Sequence, residues 1–270
     1  MKQVGPRKRY SVEAVARLAH ISALFSPTCG VLDLGEIARR AGIPRRSAAK
    51  IIATMESREF LSRVDGAGSW ALGPAWLRLA DCKRSRIDIR AAALPVMRWM
   101  RERLNETFIL GVRSGDRRVI VECMVSTQPI RRVSEVGDET PLHVGSSGRT
   151  ILSGMSDTEI AAYLKRSKLI NYGYDTVTDP ARIWSDVRKV RRNGFLTARA
   201  EITKESFSSS APIRSYSGDI AAALTITFPL SRLTGELRDA SIRVVMEGAQ
   251  RISMRLGYAA TTSDRMKAPS

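Results

Sequence analysis

The sequence predicts a two-domain α+β protein. A winged helix-turn-helix is expected over residues 8–73, a linker helix over residues 74–90, and an antiparallel sheet flanked by helices over residues 91–258. Three observations support this fold class. About the first seventy residues follow the order helix, helix, turn, helix, hairpin. The rest of the chain alternates hairpin-linked strands with helices, and basic residues are concentrated in the first third.

The first two helices follow from apolar spacing and capping signals. Residues 11–25 place apolar side chains at helical intervals, and Ser11 is positioned to cap this helix. Asp33-Leu34-Gly35-Glu36 fits a capping box, with Asp in the place of Ser or Thr. The short helix that follows is expected to end at Gly42.

The third helix and the hairpin after it predict a DNA-reading surface. Ile43-Pro44 begins a helix expected to run through Arg58, and strands at residues 60–64 and 69–72 form the wing. In a helix-turn-helix, the first residues of the second helix of the motif face base edges in the major groove. The candidate contacts are Arg45, Arg46, Ser47 and Lys50 on that helix, and Arg63 of the wing for phosphate. The alternative is an ordinary solvated helix face.

The charge of the chain also favours a polyanionic partner. It carries 44 Lys and Arg against 27 Asp and Glu. The first 90 residues hold 17 basic and 8 acidic residues, whereas the remaining 180 hold 27 and 19, so net positive charge per residue is about twice as dense at the start. A basic module before a more balanced one indicates double-stranded DNA as partner. A general arginine bias of the proteome is the alternative.

Several other classes of protein are disfavoured. No apolar run is long enough to span a membrane, and the basic N-terminus lacks the apolar stretch of a secretory signal. Cys29, Cys82 and Cys123 are odd in number and widely spaced, which argues for reduced thiols and against a disulfide framework or zinc site. Neither a G-x-G-x-x-G motif nor a P-loop is present. We therefore expect a cytoplasmic protein without cofactor, metal or membrane partner.

The second domain shows strands joined by short turns and separated by helices. The five predicted strands are residues 107–112, 119–125, 195–200, 206–213 and 220–228. Apolar spacing predicts a helix from Ala91 onward, and another helix follows Gly145 at Ser147. A capping box at Ser156 and the C-cap at Gly194 indicate two more helices, and a final helix closes at Gly257. Residues 259–270 are expected to be a disordered tail.

Two of these strands predict a binding pocket. Side chains alternate along a strand, so Thr225 and Thr227 share one face of residues 220–228, and Ser206, Ser208 and Ser210 share one face of residues 206–213. If the strands pair with those faces together, they form a floor of small residues and hydroxyls that can hold a polar ligand. An ordinary solvated sheet face is the alternative.

Short segments spread over residues 10–257 occur in a recognisable order. They are residues 35–44, Trp70-Ala71-Leu72-Gly73, Pro141-Leu142-His143, Ser147-Gly148-Arg149, Arg191-Arg192-Asn193-Gly194-Phe195 with Glu201, Ala211-Pro212-Ile213 and Leu256-Gly257. Together they resemble the IclR family of bacterial transcription regulators. The resemblance implies a dimer of winged domains, often paired into tetramers, and a GAF-like second domain that binds a small-molecule effector.

The resemblance also implies which residues hold the effector. The matching positions are Ser146 and Ser147 in a loop, with Ser206, Ser208, Thr225 and Thr227 on the strands. Ser206 and Ser208 stand where the family has more apolar residues or Cys, which suggests a more polar effector. Ser47 and Lys50 stand where the family has Thr and Arg in the recognition helix, so the operator sequence cannot be transferred.

The favoured hypothesis is therefore a ligand-responsive, DNA-binding transcription regulator, with repression slightly favoured over activation. It would control a catabolic or metabolic operon in response to a small organic acid or related metabolite, as a homodimer or tetramer on a DNA operator. An enzyme acting in the C-terminal cavity is the alternative, although any hydrolytic triad would depend on His143. A nucleoid-type DNA binder without ligand is the third possibility.

Overall fold

The computed structural model describes residues 12–26, 29–64, 68–84 and 88–259. The chain forms two compact units that divide between residues 87 and 88. Within each unit, helices accompany an antiparallel sheet, and the predicted α+β class is confirmed.

The N-terminal unit contains four helices and three short strands in the described part of the chain. In order they are α1 (Glu13–Ser22), β1 (Leu32–Asp33), α2 (Leu34–Ala41), α3 (Arg45–Ser57), β2 (Leu61–Val64), β3 (Ser69–Leu72) and α4 (Ala75–Arg84). The strands pair antiparallel in the order β1-β3-β2, so β2 and β3 form the predicted hairpin. Buried apolar side chains of α1, α2, α3 and the sheet make one core, including Ile21, Leu32, Ile37, Ile52 and Met55.

Three local features of this unit differ from the prediction: two concern how helices begin, and one concerns a capping box. Helix α1 begins at Glu13 with Val12 as N-cap, and Ser11, the predicted cap, lies outside the described residues. Pro44 is the N-cap of α3 rather than part of its first turn. Asp33 caps α2 through a 2.9 Å bond from the Glu36 N–H, but the Glu36 carboxylate pairs with Arg40 at 2.5 Å instead of returning to complete the box.

The linker helix is shorter than predicted. Helix α4 ends at Arg84, and a separate helix, α5 (Ile89–Leu104), begins after Asp88, whose Oδ1 accepts the Arg90 N–H at 2.8 Å. This carboxylate cap starts a new helix where the sequence reading continued the old one through Arg90. The centre of the wing loop, residues 65–67, and the predicted tail from residue 260 onward lie outside the described residues.

The C-terminal unit is built on one six-stranded sheet with the order β6-β5-β4-β9-β8-β7, in which every neighbouring pair is antiparallel. Its strands are β4 (Thr107–Ser114), β5 (Arg117–Met124), β6 (Glu139–Pro141), β7 (Leu196–Arg199), β8 (Ser206–Arg214) and β9 (Ile220–Pro229). After α5, its helices are α6 (Gly145–Leu152), α7 (Asp157–Arg166), α8 (Pro180–Asn193) and α9 (Gly235–Arg255). The short strand β6 was not predicted from the sequence.

Helices cover both faces of this sheet. Ser209 of β8 meets Ser241 of α9, with their hydroxyl oxygens 3.2 Å apart, whereas Ser208 and Ser210 meet Ser146 of α6. Because successive side chains of a strand point to opposite faces, α6 and α9 lie on opposite sides of the sheet. Helices α6, α7 and α8 share an apolar core cluster on the α6 side.

A buried ionic cluster holds α6 in place. Arg149 of α6 is 1% exposed, and its guanidinium donates to both carboxylate oxygens of Glu201, at 2.7 and 2.5 Å. Its Nε lies 3.0 Å from Asp186 of α8. Glu201 also accepts the N–H of Gly145, the first residue of α6, at 3.0 Å. One carboxylate therefore fixes both the middle and the start of this helix.

Candidate effector site and DNA-contacting surface

Helix α3 presents the predicted DNA-contacting side chains on its outer face. Arg45, Arg46 and Lys50 are exposed, and Ser47 is half-buried. Ala48, Ile52 and Met55 face the core instead. Among the described residues, no carboxylate lies within ion-pair distance of the three cations, so their charge is available to a phosphate backbone.

Arg63 of β2 differs from these, because its guanidinium already has two partners. Its Nε lies 3.3 Å from Oε1 of Glu56, and the group stacks 5.3 Å from the ring centroid of Trp70. Trp70 donates its indole N–H to the same carboxylate at 3.1 Å. These bonds, first from Trp70 and then from Arg63, lower the pKa of Glu56. Any phosphate contact by Arg63 must therefore share the guanidinium with Glu56.

The C-terminal unit contains a polar cavity of about 260 Å³ between the sheet and the start of α6. All six predicted effector residues line it: Ser146, Ser147, Ser206, Ser208, Thr225 and Thr227. The strand register explains why. Ser208 pairs with Thr227 and Ser210 pairs with Thr225 across β8 and β9, so the two hydroxyl-bearing faces lie side by side.

The hydroxyls form a chain across this wall. Ser146 Oγ lies 2.8 Å from Oγ of both Ser208 and Ser210, and Ser210 Oγ lies 2.7 Å from Oγ1 of Thr225. Thr227 donates to a backbone carbonyl at 2.9 Å. Most of these polar atoms are thus satisfied within the protein, and they do not all depend on a ligand.

Ser147 is the exception. It is 8% exposed, it lines the cavity from the first turn of α6, and its Oγ is buried without a hydrogen-bond partner. The first N–H of this helix, that of Gly145, is not free, since it donates to Glu201. A buried hydroxyl without a partner at a helix N-terminus is a natural place for an acceptor such as an anion.

The cavity also contains charged residues that were not predicted from the sequence. Arg118 and Arg132 both line it, and burial lowers the pKa of each guanidinium. Arg118 lies one residue before the predicted start of its strand, and Arg132 lies in the segment between β5 and β6. The available signal was the alternation in β5, which places Arg118 on the same face as Ile120.

His143, on which a hydrolytic triad would depend, has a structural role. Its Nδ1 lies 3.1 Å from the Tyr163 hydroxyl and its Nε2 lies 3.1 Å from the carbonyl oxygen of Ile170. Burial lowers its pKa. Both ring nitrogens are therefore engaged away from the cavity hydroxyls, and the histidine is not placed to activate Ser146 or Ser147.

Comparison with known proteins defines the class of protein. Residues 83–254 match the family model described as bacterial transcriptional regulator IclR C-terminal. The transcriptional regulator KipR of Bacillus subtilis is 31% identical over 227 residues, which is 84% of this chain and 90% of KipR. The acetate operon repressor of Salmonella typhimurium is 25% identical over 249 residues, covering 91% of this chain and 90% of the repressor.

A solved structure extends the match to the fold. An IclR homologue from Microbacterium hydrocarbonoxydans, complexed with 4-hydroxybenzoate, superimposes with a TM-score of 0.58 at 25% identity, covering 90% of this chain and 98% of the homologue. The protein is a ligand-responsive transcription regulator and not an enzyme. The chain belongs to the IclR family. Members of this family bind DNA and small-molecule effectors.

No helix in the described part of the chain is long and apolar enough to cross a membrane. Residues 12–26, 29–64, 68–84 and 88–259 contain no cluster of three or more His, Cys, Asp or Glu that could hold a metal ion.

Proposed function

We propose that this chain represses a catabolic or metabolic operon, and that a small organic acid bound in the cavity of the C-terminal unit changes its affinity for operator DNA. The observation that carries the proposal is that one cavity collects all six hydroxyl residues predicted as the effector site. The 4-hydroxybenzoate complex of a homologue supports an organic acid, and the name of the Salmonella relative supports repression. A DNA partner implies a cytoplasmic location.

Coupling between effector and DNA requires two conformations with different effector affinities. Helix α6 is the element through which effector binding can shift the balance between these two conformations. It contributes Ser146 and Ser147 to the cavity and is anchored by Glu201 at its start. A ligand that contacts the first turn of α6 can change the position of this helix against β7, β8 and β9, on which it packs. We expect the effector to shift the population of the DNA-binding state and not to touch DNA.

We assign the DNA-contacting surface to the outer face of α3. We expect Arg45→Ala/Arg46→Ala to abolish specific binding to the promoter region beside the gene, because a base-reading arginine contributes about 1–3 kcal/mol and both charges contact the polyanion. Lys50→Ala should weaken all sequences alike and reduce the salt dependence of binding. Fluorescence anisotropy with operator and scrambled duplexes measures both effects.

The matched control is Arg58→Ala. Arg58 is exposed and follows the same helix, about 20 Å from Arg45 along its axis. It should leave affinity within a factor of two or so, since surface substitutions away from special features have small effects. Wild-type affinity in the Arg45/Arg46 double variant would contradict the assignment of α3 as the DNA-contacting helix. A footprint without sequence preference would instead favour a nucleoid-type binder.

We further propose that the protein acts as a dimer or tetramer on a partly palindromic operator. A twofold protein presents two equivalent recognition helices, so its half-sites are symmetric and spaced by about one helical turn or a multiple of it. Light scattering of the full chain at micromolar concentration should report at least twice the mass of 29.8 kDa. A stable monomer under those conditions contradicts this part of the proposal.

A further inference from the structure

Two arginines of the cavity have no carboxylate partner among the described residues. Arg118 is 5% exposed, and its one hydrogen bond to a described residue runs from Nε to the neutral Oγ1 of Thr140, at 3.0 Å. Arg132 is half-buried, and its Nε is buried with no acceptor. A buried guanidinium normally faces a carboxylate or phosphate, because its desolvation is otherwise uncompensated.

The acidic residues around the cavity do not supply that partner. Glu201 is committed to Arg149 and the Gly145 N–H, and Glu139 pairs with Arg117 at 2.7 Å. Asp138 is exposed and accepts the Glu135 N–H at 2.9 Å, outside ion-pair distance of either arginine. It attracts Arg118 at longer range. The cavity thus holds two unpaired cations against one solvated carboxylate.

The surroundings of Arg118 leave space for its side chain. A Cβ on Gly111 of β4 would come within 2.8 Å of Arg118 Cδ and 3.2 Å of Ser147 Oγ. The absence of a side chain at residue 111 therefore brings the arginine stem and the partnerless Ser147 hydroxyl to the same spot. Ser147 also lies in the first turn of α6, where the helix dipole favours negative charge.

We propose that Arg118 and Arg132 form the recognition point for a carboxylate group of the effector, with Ser147 donating the third hydrogen bond. This inference rests on the proposed function and deepens it, since it names the charged residues that select the ligand. A guanidinium offers a planar fork of donors that matches a carboxylate. The Ser146, Ser208 and Thr225 hydroxyls then contact the polar remainder of the molecule.

The cavity limits the size of this acid. A cavity of about 260 Å³ lies just below the usual range of ligand pockets, about 300–1,000 Å³. Such a space suits an aliphatic keto or hydroxy acid, or a single-ring acid. The ligand class is therefore a small carboxylic acid that carries a second polar group.

The test is direct binding to the full chain in the absence of DNA. Pyruvate, succinate and 4-hydroxybenzoate are titrated calorimetrically, each beside its neutral amide, and inorganic phosphate is the competing anion. At least one acid should bind and raise the midpoint of thermal unfolding, and its amide should bind about tenfold or more weakly. Arg118→Met and Arg132→Met should each reduce the affinity for that acid about tenfold or more, and Arg118→Lys should restore part of it.

Arg117→Met is the matched control, since Arg117 neighbours Arg118 in β5 but is exposed and paired with Glu139. It should bind the acid as the wild type does. The unliganded Arg118→Met protein should unfold at a higher temperature than the wild type, because an unpaired buried charge is removed. A purely structural arginine would give a lower temperature.

Three results would overturn the inference: acid and amide binding equally, unchanged acid affinity in both methionine variants, or no acid binding at millimolar concentration. Preferential binding of phosphate would also overturn the carboxylate class. Unchanged acid affinity in the methionine variants, or equal binding of acid and amide, overturns the arginine assignment and leaves the proposed function standing. Absence of acid binding also contradicts the organic-acid part of the proposed function. The proposed function fails separately when an acid that binds the chain leaves operator affinity unchanged.

Discussion

Removal of the Glu201 carboxylate should destabilise the C-terminal unit and release the start of α6. Glu201 is 6% exposed and accepts three hydrogen bonds, two from Arg149 and one from the Gly145 N–H. In Glu201→Ala, the guanidinium of Arg149 stays buried and keeps only Asp186 at 3.0 Å as a charged neighbour. A buried charge that has lost its main partner is costly, because water cannot replace the lost bonds.

The size of the effect follows from these contacts. Breaking a buried ion pair costs about 3–5 kcal/mol, and an amide left without an acceptor costs about 1–3 kcal/mol. Asp186 retains part of the compensation, so we expect a net loss of about 3–5 kcal/mol. For a unit of this size, 1 kcal/mol lowers Tm by about 2–4 °C, which gives a decrease of about 6–20 °C.

Urea and thermal unfolding of the full chain, followed by circular dichroism, measure this loss. The control is the double variant Arg149→Met/Glu201→Leu, which removes both charges and leaves Asp186 paired with Lys189 at 2.8 Å. It should recover at least half of the lost free energy, since an apolar replacement of a buried pair is often neutral. A loss below about 1 kcal/mol in Glu201→Ala, or a double variant less stable than Glu201→Ala, refutes the reasoning.

Three further predictions concern the cavity and its surroundings. Ser208→Leu should fill the cavity and abolish the effector response in a gel shift while operator binding stays intact; an unchanged response midpoint would place the pocket elsewhere. Gly111→Ala should displace the flexible Arg118 side chain and weaken acid binding in calorimetry without unfolding the protein, and wild-type affinity would contradict the packing argument. Burial lowers the folded-state pKa of His143 from 6.5, so the stability it contributes is complete above about pH 6.5 and is lost as pH falls below that value toward the lowered pKa. The free energy of unfolding of His143→Asn should therefore decrease less than that of the wild type between pH 6.5 and 5, and equal slopes would exclude this role.

The hydroxyl wall could be predicted because it depends on strand alternation and strand pairing. Period-two spacing fixed which side chains of β8 and β9 share a face, and the observed pairing of Ser208 with Thr227 joins those faces. The longer strands and α2 with its Asp33 cap could be predicted because each depends on neighbours within a few residues, whereas the two- and three-residue strands β1 and β6 are too short to show alternation.

The binding role of Arg118 and Arg132 could not be predicted in this way, because it depends on the lack of a carboxylate partner for either guanidinium among the described residues. A sequence shows that Arg118 and Glu139 exist, but not that Glu139 pairs with Arg117 and leaves Arg118 alone. The boundary between α4 and α5 was predicted at residues 90 and 91 instead of before Ile89, for a different reason. In the sequence, Asp88 resembles any other polar residue of a helix. Only the structure shows that its carboxylate accepts the Arg90 N–H and so caps a new helix.

Three hydroxyls that line the cavity are linked through buried Ser210, in the order Ser208, Ser146, Ser210, Thr225. Each hydroxyl has one proton to give, and its orientation is free to rotate. If the protons all point toward Thr225, Thr225 offers a donor to the cavity and Ser208 an acceptor; if they all reverse, the two ends exchange these roles. The wall can therefore match a keto oxygen or an alcohol at either end by reorienting hydrogens alone, with no side chain leaving its rotamer. Replacement of Ser146 by Ala would cut this relay, so the donor or acceptor role of Ser208 would no longer depend on that of Thr225.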